Sequence, residues 1–323
     1  MRYLARRFAH SLLLLFGVSL LSFALFELAP GDFWAEMRMN PQISRAAVEA
    51  ARARYGMDQP LPVRYLRWLG SLARGEMGYS FAYGTPVLPL LVERARNTLA
   101  LAGAALLLAW LLAIPLGVWF AAQRGRLSDR LGAAATSALL ATPDLVVALL
   151  LLLLAVRTGA FPVGGMASPH VADLGAWAKA KDVLSHAALP VSALVLGVLP
   201  GLVRHVRAGV LEALGAPFLR AARAHGIPLR RQLFGYALRA AANPLCTLLG
   251  SSIASLLSVS LLTEVVMSWP GLGPLLLEAI LARDVYLVIG PVVVSTLLLL
   301  AGNLAADLLL YALDPRIRRE TAA

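Results

Sequence analysis

The side chains with which this chain could do chemistry are few, and their spacing excludes most reactions. His10, His170, His186, His205 and His225 show neither an H-E-x-x-H motif nor i, i+4 spacing, so no metal ligand set is expected. Cys246 is the single cysteine, which excludes an intrachain disulfide framework and a multi-cysteine metal cluster. Gly250-Ser251-Ser252 lies inside an apolar run with no strand before it, so it is not a nucleophile elbow. An intramembrane serine protease would need a histidine among the spans, yet all but His10 fall near span ends or in loops. There is no G-x4-G-K-[ST] loop, and neither lysine (Lys179, Lys181) lies in a glycine-rich turn, so ATP hydrolysis by that mechanism is excluded. No catalytic residue, cofactor or metal is assigned.

Polar groups at membrane depth are what remains. Asp144 follows Pro143 in the middle of an apolar run, where an acid costs several kcal/mol unless paired or hydrated. Two roles fit it: lining a watery cavity on a translocation path, or pairing with an arginine or backbone donor at a proline kink. Ser251 and Ser255 flank a small-residue stripe of Gly250, Ala254 and Ser258. That stripe suits close helix packing, with a translocation path as the alternative. Glu264 and Glu278 are expected near the outer face, solvated or meeting substrate, and Asn303 and Asp307 read as structural.

These residues are carried by elements that need lipid. The 323 residues are 59% hydrophobic and 15% charged, against about 25% charged in soluble domains, and the mean hydropathy is +0.74. A bilayer core needs about 20 apolar residues per helix. Six runs qualify or nearly so: 8–26, 97–123, 131–156 (interrupted by Asp144), 183–203, 240–263 and 285–306. The expected fold class is therefore all-α, a polytopic membrane protein with six transmembrane helices. The first run resembles a signal peptide, but its length and the poor cleavage site at Glu27-Leu28-Ala29-Pro30 favour an uncleaved anchor.

The net charge of +11 sits mainly at span ends, not in a patch with interleaved aromatics, so it argues for membrane orientation and against nucleic acid. Arg2, Arg6 and Arg7, then Arg124, Arg126 and Arg130, then the 204–239 arginines, and finally Arg316, Arg318 and Arg319 fall on one side if six spans alternate. The positive-inside rule makes that side, with both termini, cytoplasmic. Segment 27–96 is also arginine-rich, but it exceeds the loop length of about 60 residues over which the rule operates. Within it, Ser44 to Tyr55 is helix-compatible with Gly56 as a cap. Pro62 can open a second helix presenting Val63, Leu66, Leu69 and Leu72 on one face.

The loop after the fourth run, EALGAPFLRAARAHGIPLRRQLFGYALRAAANP, is too polar to span. Pro217 suits the first turn of a short helix to about His225, Gly226 a left-handed cap, and Pro228 the start of a second helix. The spacing predicts a helix–glycine–helix elbow. A basic loop lying on headgroups is the plainer alternative.

At this elbow the chain resembles the inner-membrane permeases of ATP-binding-cassette importers. Their signature is approximately E-A-A-x3-G, nine residues, then I-x-L-P. Ala221, Ala222, Gly226 and Leu238 match it, while Arg220 replaces the glutamate and the nearest proline, Pro244, comes late. The dipeptide/oligopeptide/nickel branch reads approximately A-R-A-K-G, close to Ala222-Arg223-Ala224-His225-Gly226 here. Further segments resemble the same branch: Ala29 to Asp32 (APGD), Tyr55 to Pro62, Gly75 to Phe81, Arg96 to Leu99, Ile114 to Gly117, Glu264 with Trp269 to Gly273, Arg283-Asp284, and Asn303 to Arg318. The first of the two permease subunits, with its long outer segment, is the best match.

The resemblance implies the type I ABC importer permease fold, divided into 1–29 (tail and first helix), 30–94 (extracytoplasmic helical segment), 95–311 (permease core) and 312–323 (cytoplasmic tail). Core helices are expected at about 97–121, 132–156, 184–205, 243–265 and 286–311, with the coupling loop at 212–242. It implies that Leu219, Arg220, Ala221, Ala222, Arg223 and Gly226 serve coupling. It also implies a homologous second permease, two ATPase subunits that bind the ATP, an extracytoplasmic binding protein, and a bacterial inner-membrane location. Peptides are the expected cargo, with nickel or glutathione-type cargo as the alternative. A self-sufficient secondary transporter is the rival class; it would show inverted repeats, discontinuous spans and paired membrane carboxylates.

Overall fold

The computed structural model describes residues 2–29, 31, 33–39 and 44–313. Pro30 and Asp32 of the APGD segment, and Arg316, Arg318 and Arg319 of the expected tail, lie outside the described residues. In chain order the helices are α1 (Arg2–Leu28), α2 (Phe33–Met39), α3 (Arg45–Arg54), α4 (Leu61–Leu72), α5 (Val87–Ala122), α6 (Leu127–Ala141), α7 (Asp144–Thr158), α8 (Ala176–Gly215), α9 (Pro217–Ala224), α10 (Leu229–Arg231), α11 (Leu238–Ala240), α12 (Ala242–Val266), α13 (Leu272–Leu281) and α14 (Val285–Leu313). A π-helical turn, Gln232–Ala237, joins α10 to α11. A two-stranded antiparallel ribbon pairs β1 (Tyr79–Ser80) with β2 (Thr85–Pro86).

Five helices (α1, α5, α8, α12 and α14) hold stretches long and apolar enough to cross a bilayer. The sixth expected span is broken. α6 and α7 pass the same test only as a pair, and their axes meet at 101°. Pro143 has no N–H to donate and forces the residue before it out of helical geometry; Thr142 is extended (φ −94°, ψ 125°). The single helix expected over 132–156 is thus two, and Asp144 is not mid-helix but the first residue of α7.

The chain forms two compact units: residues 1–98 with 270–300, and residues 99–269 with 301–323. The first joins the initial span and the outer segment, which the sequence set apart as 30–94, to α13 and the start of α14. Its core is aromatic. Phe23 lies 5.2 Å from Tyr65 and 5.3 Å from Trp68, ring centre to ring centre, and the Tyr65 hydroxyl meets Ser19 Oγ at 3.0 Å. Ser44 caps α3 by accepting from the Ala47 N–H, and Gly56 turns with φ +67°. On α4 the buried side chains are Tyr65 and Trp68, while Val63 and Leu66 are 41% and 65% exposed. Leu69 and Leu72 are half-buried on the side of Tyr65 and Trp68, so the inward face is rotated from the expected one, because aromatic partners on α1 draw in Tyr65 and Trp68.

In the second unit α8 is the common partner, packed against α6, α7, α9, α12 and the π-turn. Its 40 residues run about 60 Å at 1.5 Å each, twice a hydrocarbon core. Leu101, Ala105, Ala109 and Ala113 repeat every fourth residue along α5, all essentially buried, and cluster with Leu194, Val195, Leu202 and Val203 of α8. Small residues let the two backbones close in. A Cβ at Gly117 would stand 2.6 Å from Val206.

Candidate functional site

The elbow has the local geometry its sequence predicts. Ala216 is extended, Pro217 occupies the first turn of α9, and His225 ends the helix by donating its N–H to the Ala221 carbonyl. Gly226 has φ +73° with nothing within 4 Å of an added Cβ, so only the backbone, not space, asks for glycine. Pro228 then leads into α10. Gln232, which sequence reasoning missed, fastens the turn: its Nε2 donates to the Ile227 carbonyl at 2.6 Å, and the side chain is buried. A glutamine in a basic loop gives no signal of this; its burial comes from the π-turn wrapping onto α9.

The residues expected to serve coupling divide between two faces of α9. Leu219 (0% exposed) and Ala222 (8%) belong to an internal cluster with Val210, Ala213, Leu233 and Ala237. Ala221, Arg220, Arg223 and Gly226 are exposed, as is Phe218 at 49%. The outward face is therefore Phe218 and Ala221 flanked by arginines. Phe218 was overlooked because periodicity alone does not say which apolar stripe faces the chain's own core.

Above the elbow, Arg207 of α8 donates from Nε to Asp129 Oδ1 at 2.6 Å and from a terminal nitrogen to Oδ2 at 2.8 Å. Asp129 also accepts the Gly125 N–H at 2.9 Å. This bidentate pair ties the α5–α6 turn to the helix that leads into the elbow. The sequence reading used Arg207 only for orientation and did not single out Asp129.

Asp144 is half-buried at the start of α7, where the helix dipole favours an acid. Its Oδ1 lies 2.6 Å from where a Cβ on Gly197 of α8 would be, so the glycine makes room for the carboxylate. Among the described residues no arginine or backbone donor pairs with it, which leaves the structural-pair role without a partner. On α12, Ser251, Ser255 and Ser258 share one exposed face, whereas Gly250, Ser252, Leu256 and Ser260 are buried. Ser251 donates to the Leu248 carbonyl (2.9 Å) and Ser258 to that of Ala254 (3.1 Å). The exposed serines and Asp144 are not joined by a hydrogen bond among the described residues.

In the first unit, two segments singled out from the sequence meet. Asp284, fully buried, accepts on Oδ2 from Ser80 Oγ (2.8 Å), the Phe81 N–H (2.6 Å) and the Ala82 N–H (3.0 Å). Gly78 (φ +92°) passes so close to Tyr286 that a Cβ would stand 2.7 Å from its ring. Tyr83 donates its phenol proton to Glu278; burial first, then that hydrogen bond, raises the phenol pKa above its ordinary value. Glu264 is wholly buried and so neither solvated nor placed to meet substrate. Among the described residues no group of three His, Cys, Asp or Glu side chains gathers.

Residues 113–319 match the family described as binding-protein-dependent transport system inner membrane component, and residues 1–102 match its N-terminal region. The oligopeptide transport system permease protein AppB of Bacillus subtilis is 37% identical, with 98% of each chain covered. OppB of Mycobacterium tuberculosis, named for oligopeptide transport, is 34% identical over 98% of this chain and 99% of its own. DppB of Escherichia coli, named for dipeptide transport, is 31% identical over 99% of each. The fold is also that of a solved MetNI methionine ABC transporter chain in an inward-facing conformation, with TM-score 0.57, 18% identity, and coverage of 70% of this chain and 96% of that one.

Proposed function

We infer that this chain, which belongs to the family of binding-protein-dependent transport system inner membrane components, forms with a second permease the path by which peptides cross the membrane. The observation carrying this reading is similarity along nearly the whole length to permeases named for oligopeptide and dipeptide transport. A homologous second permease, two ATPase subunits and an extracytoplasmic binding protein complete the importer, and ATP is bound by the ATPase subunits and not by this chain. The arginine-bearing turns at 124–130 and 204–239 face the cytoplasm with both termini.

The elbow is the coupling element: Phe218 and Ala221 enter a groove on an ATPase subunit, Arg220 and Arg223 flank the contact, and Gly226 sets the turn. Closure of the ATPases displaces α9, which α8 follows, and the two permeases rock between outward and inward openings. That is a two-state switch biased by a partner's contacts. Asp144 lines the path as an acceptor for the peptide's amino group, and Ser251 and Ser255 face the path or the second permease. The broken α6–α7 span is a trait shared with secondary transporters, but among the described residues a single acid, Asp144, stands at the break.

The test is reconstitution. Proteoliposomes holding this chain, its second permease and the ATPases, supplied with the binding protein and a labelled oligopeptide, accumulate the peptide only with ATP. The chain alone shows no ATP hydrolysis. Uptake by this chain without the ATPases, or hydrolysis by it once contaminating ATPases are removed, refutes the division of labour.

A further inference from the structure

Between α6 and α8, in the second unit, lies a groove of about 560 Å³ with no role in the reading above. Its volume is in the range of about 300–1,000 Å³ typical of small-molecule sites. Its floor is the ring of Phe120, which fills the space a Cβ at Gly132 would need. Ala133, Leu140 and Val203 line its walls. Thr136, Ser137, Arg204, His205 and Arg207 are its polar lining residues. The last three differ in what they have left to offer. Arg207 is engaged by Asp129. His205 donates its Nδ1–H to the Gly201 carbonyl (2.8 Å), which leaves Nε2 of the neutral ring an acceptor and so no partner for a phosphate. Arg204 is exposed and has no partner among the described residues.

We propose that this groove holds an anionic phospholipid, its phosphate on Arg204 and one acyl chain along Ala133 and Leu140. α8 is long and apolar enough to cross a bilayer, and α6 is so together with α7; Arg207 at the groove is paired with Asp129, whose neighbours in sequence include Arg124, Arg126 and Arg130. Apolar walls with a basic side chain match the two chemistries of an anionic lipid. A free phosphate would leave the apolar walls unfilled; a neutral lipid would leave Arg204 unmatched. A bound lipid would also brace α6 against the helix that leads to the elbow, next to the Asp129–Arg207 pair.

The assay measures lipid retained by the intact purified complex, or by the full chain, after exchange into nanodiscs of phosphatidylcholine with 20% phosphatidylglycerol (about one in five lipids, enough to see enrichment over an anionic surface). Native mass spectrometry and lipid extraction give the ratio retained. The expected result is a retained ratio of phosphatidylglycerol to phosphatidylcholine about fivefold above that of the disc, as for one basic residue at an anionic surface. Arg204→Gln should bring enrichment close to one, and Arg204→Lys should keep most of it. Ala133→Trp, which fills the groove from an exposed position, should remove the retained lipid while the chain's melting temperature holds. Equal retention of both lipids overturns the proposal, as does enrichment unchanged by Ala133→Trp. Displacement of the lipid by millimolar inorganic phosphate overturns it in favour of a free-anion site. Loss of pairing with the second permease in Ala133→Trp, at unchanged lipid, overturns it in favour of a protein interface. Because the readout is lipid, it is independent of which cargo the importer carries.

Discussion

The two faces of α9 make opposite predictions for neighbouring residues, which is the sharpest test of the coupling proposal. Leu219 is wholly buried among Val210, Ala213, Leu233 and Ala237, so Leu219→Ala should cost about 2–5 kcal/mol through lost burial and a residual cavity. Ala222→Glu drives a charge into the same cluster and should be worse. Neither isolates docking, because both damage the elbow itself. Ala221→Glu does isolate it. The position is exposed, and glutamate is close to alanine in helix preference, so the cost to folding should stay below about 0.5 kcal/mol. If an ATPase groove closes over Ala221, an unpaired carboxylate is buried there instead, at a cost of about 3 kcal/mol or more. That weakens binding by about a hundredfold or more.

The assay sets three readouts side by side: melting of the detergent-purified chain, affinity for the ATPase subunit, and ATP-driven uptake. Ala221→Glu and Phe218→Ala should melt like the wild type yet lose ATPase binding and uptake. Leu219→Ala should lose melting temperature first. ATPase affinity within a factor of about two of wild type for both Ala221→Glu and Phe218→Ala would refute docking by this face. If only removal of Arg220 and Arg223 mattered, the elbow would be a basic loop on headgroups.

Cysteines placed at Glu76 and His170 in a Cys246→Ala background should react with an impermeant reagent in intact cells, while cysteines at Arg126 and Arg231 should not; the reverse pattern overturns the orientation. Asp284→Ala strands three donors of the Ser80–Ala82 turn and should destabilise the first unit by about 3 kcal/mol, read as faster proteolysis of the outer segment with the elbow unaffected. Asp144→Asn should reduce uptake of peptides with a free amino terminus more than of N-acetylated ones, with assembly unchanged. Gly197→Ala, whose methyl displaces the carboxylate, should do the same more weakly; normal uptake by both variants removes Asp144 from the path.

What the sequence carried well was local. Pro217 and Pro228 restrict their own backbone and Gly226 admits the left-handed one, so the elbow's turn is written in three positions, as are the Ser44 cap and Gly56 of the outer segment. The side chains that decide which way such elements face are distant in sequence. The inward turn of Leu219 depends on Leu233 and Val210, and the inward face of α4 depends on Phe23 of α1. Asp284 and Ser80 stand 204 residues apart, and Asp129 and Arg207 stand 78 apart, so no spacing rule joins them. Pro143 was legible as a kink beside Asp144; the 101° bend was not, because its size depends on how α6 and α7 pack separately on α8.

That dependence on α8 has a mechanical consequence for the proposed switch. The helix is fastened near one end where Asp182 accepts from the Ser168 N–H and hydroxyl, at 2.8 and 2.6 Å, and near the other by Arg207 to Asp129. A single extended residue, Ala216, separates it from α9. A displacement of α9 therefore reaches α8 with almost no slack to absorb it. Within α8 the weakest points are Pro190 and Pro200, each lacking a backbone donor, and Gly197 between them opposite Asp144. Bending on that stretch would move the wall against the Asp144 carboxylate while both fastened ends hold. On this reading the acid at the break in α6–α7 and the elbow are coupled through one helix, although no side chain of one touches the other.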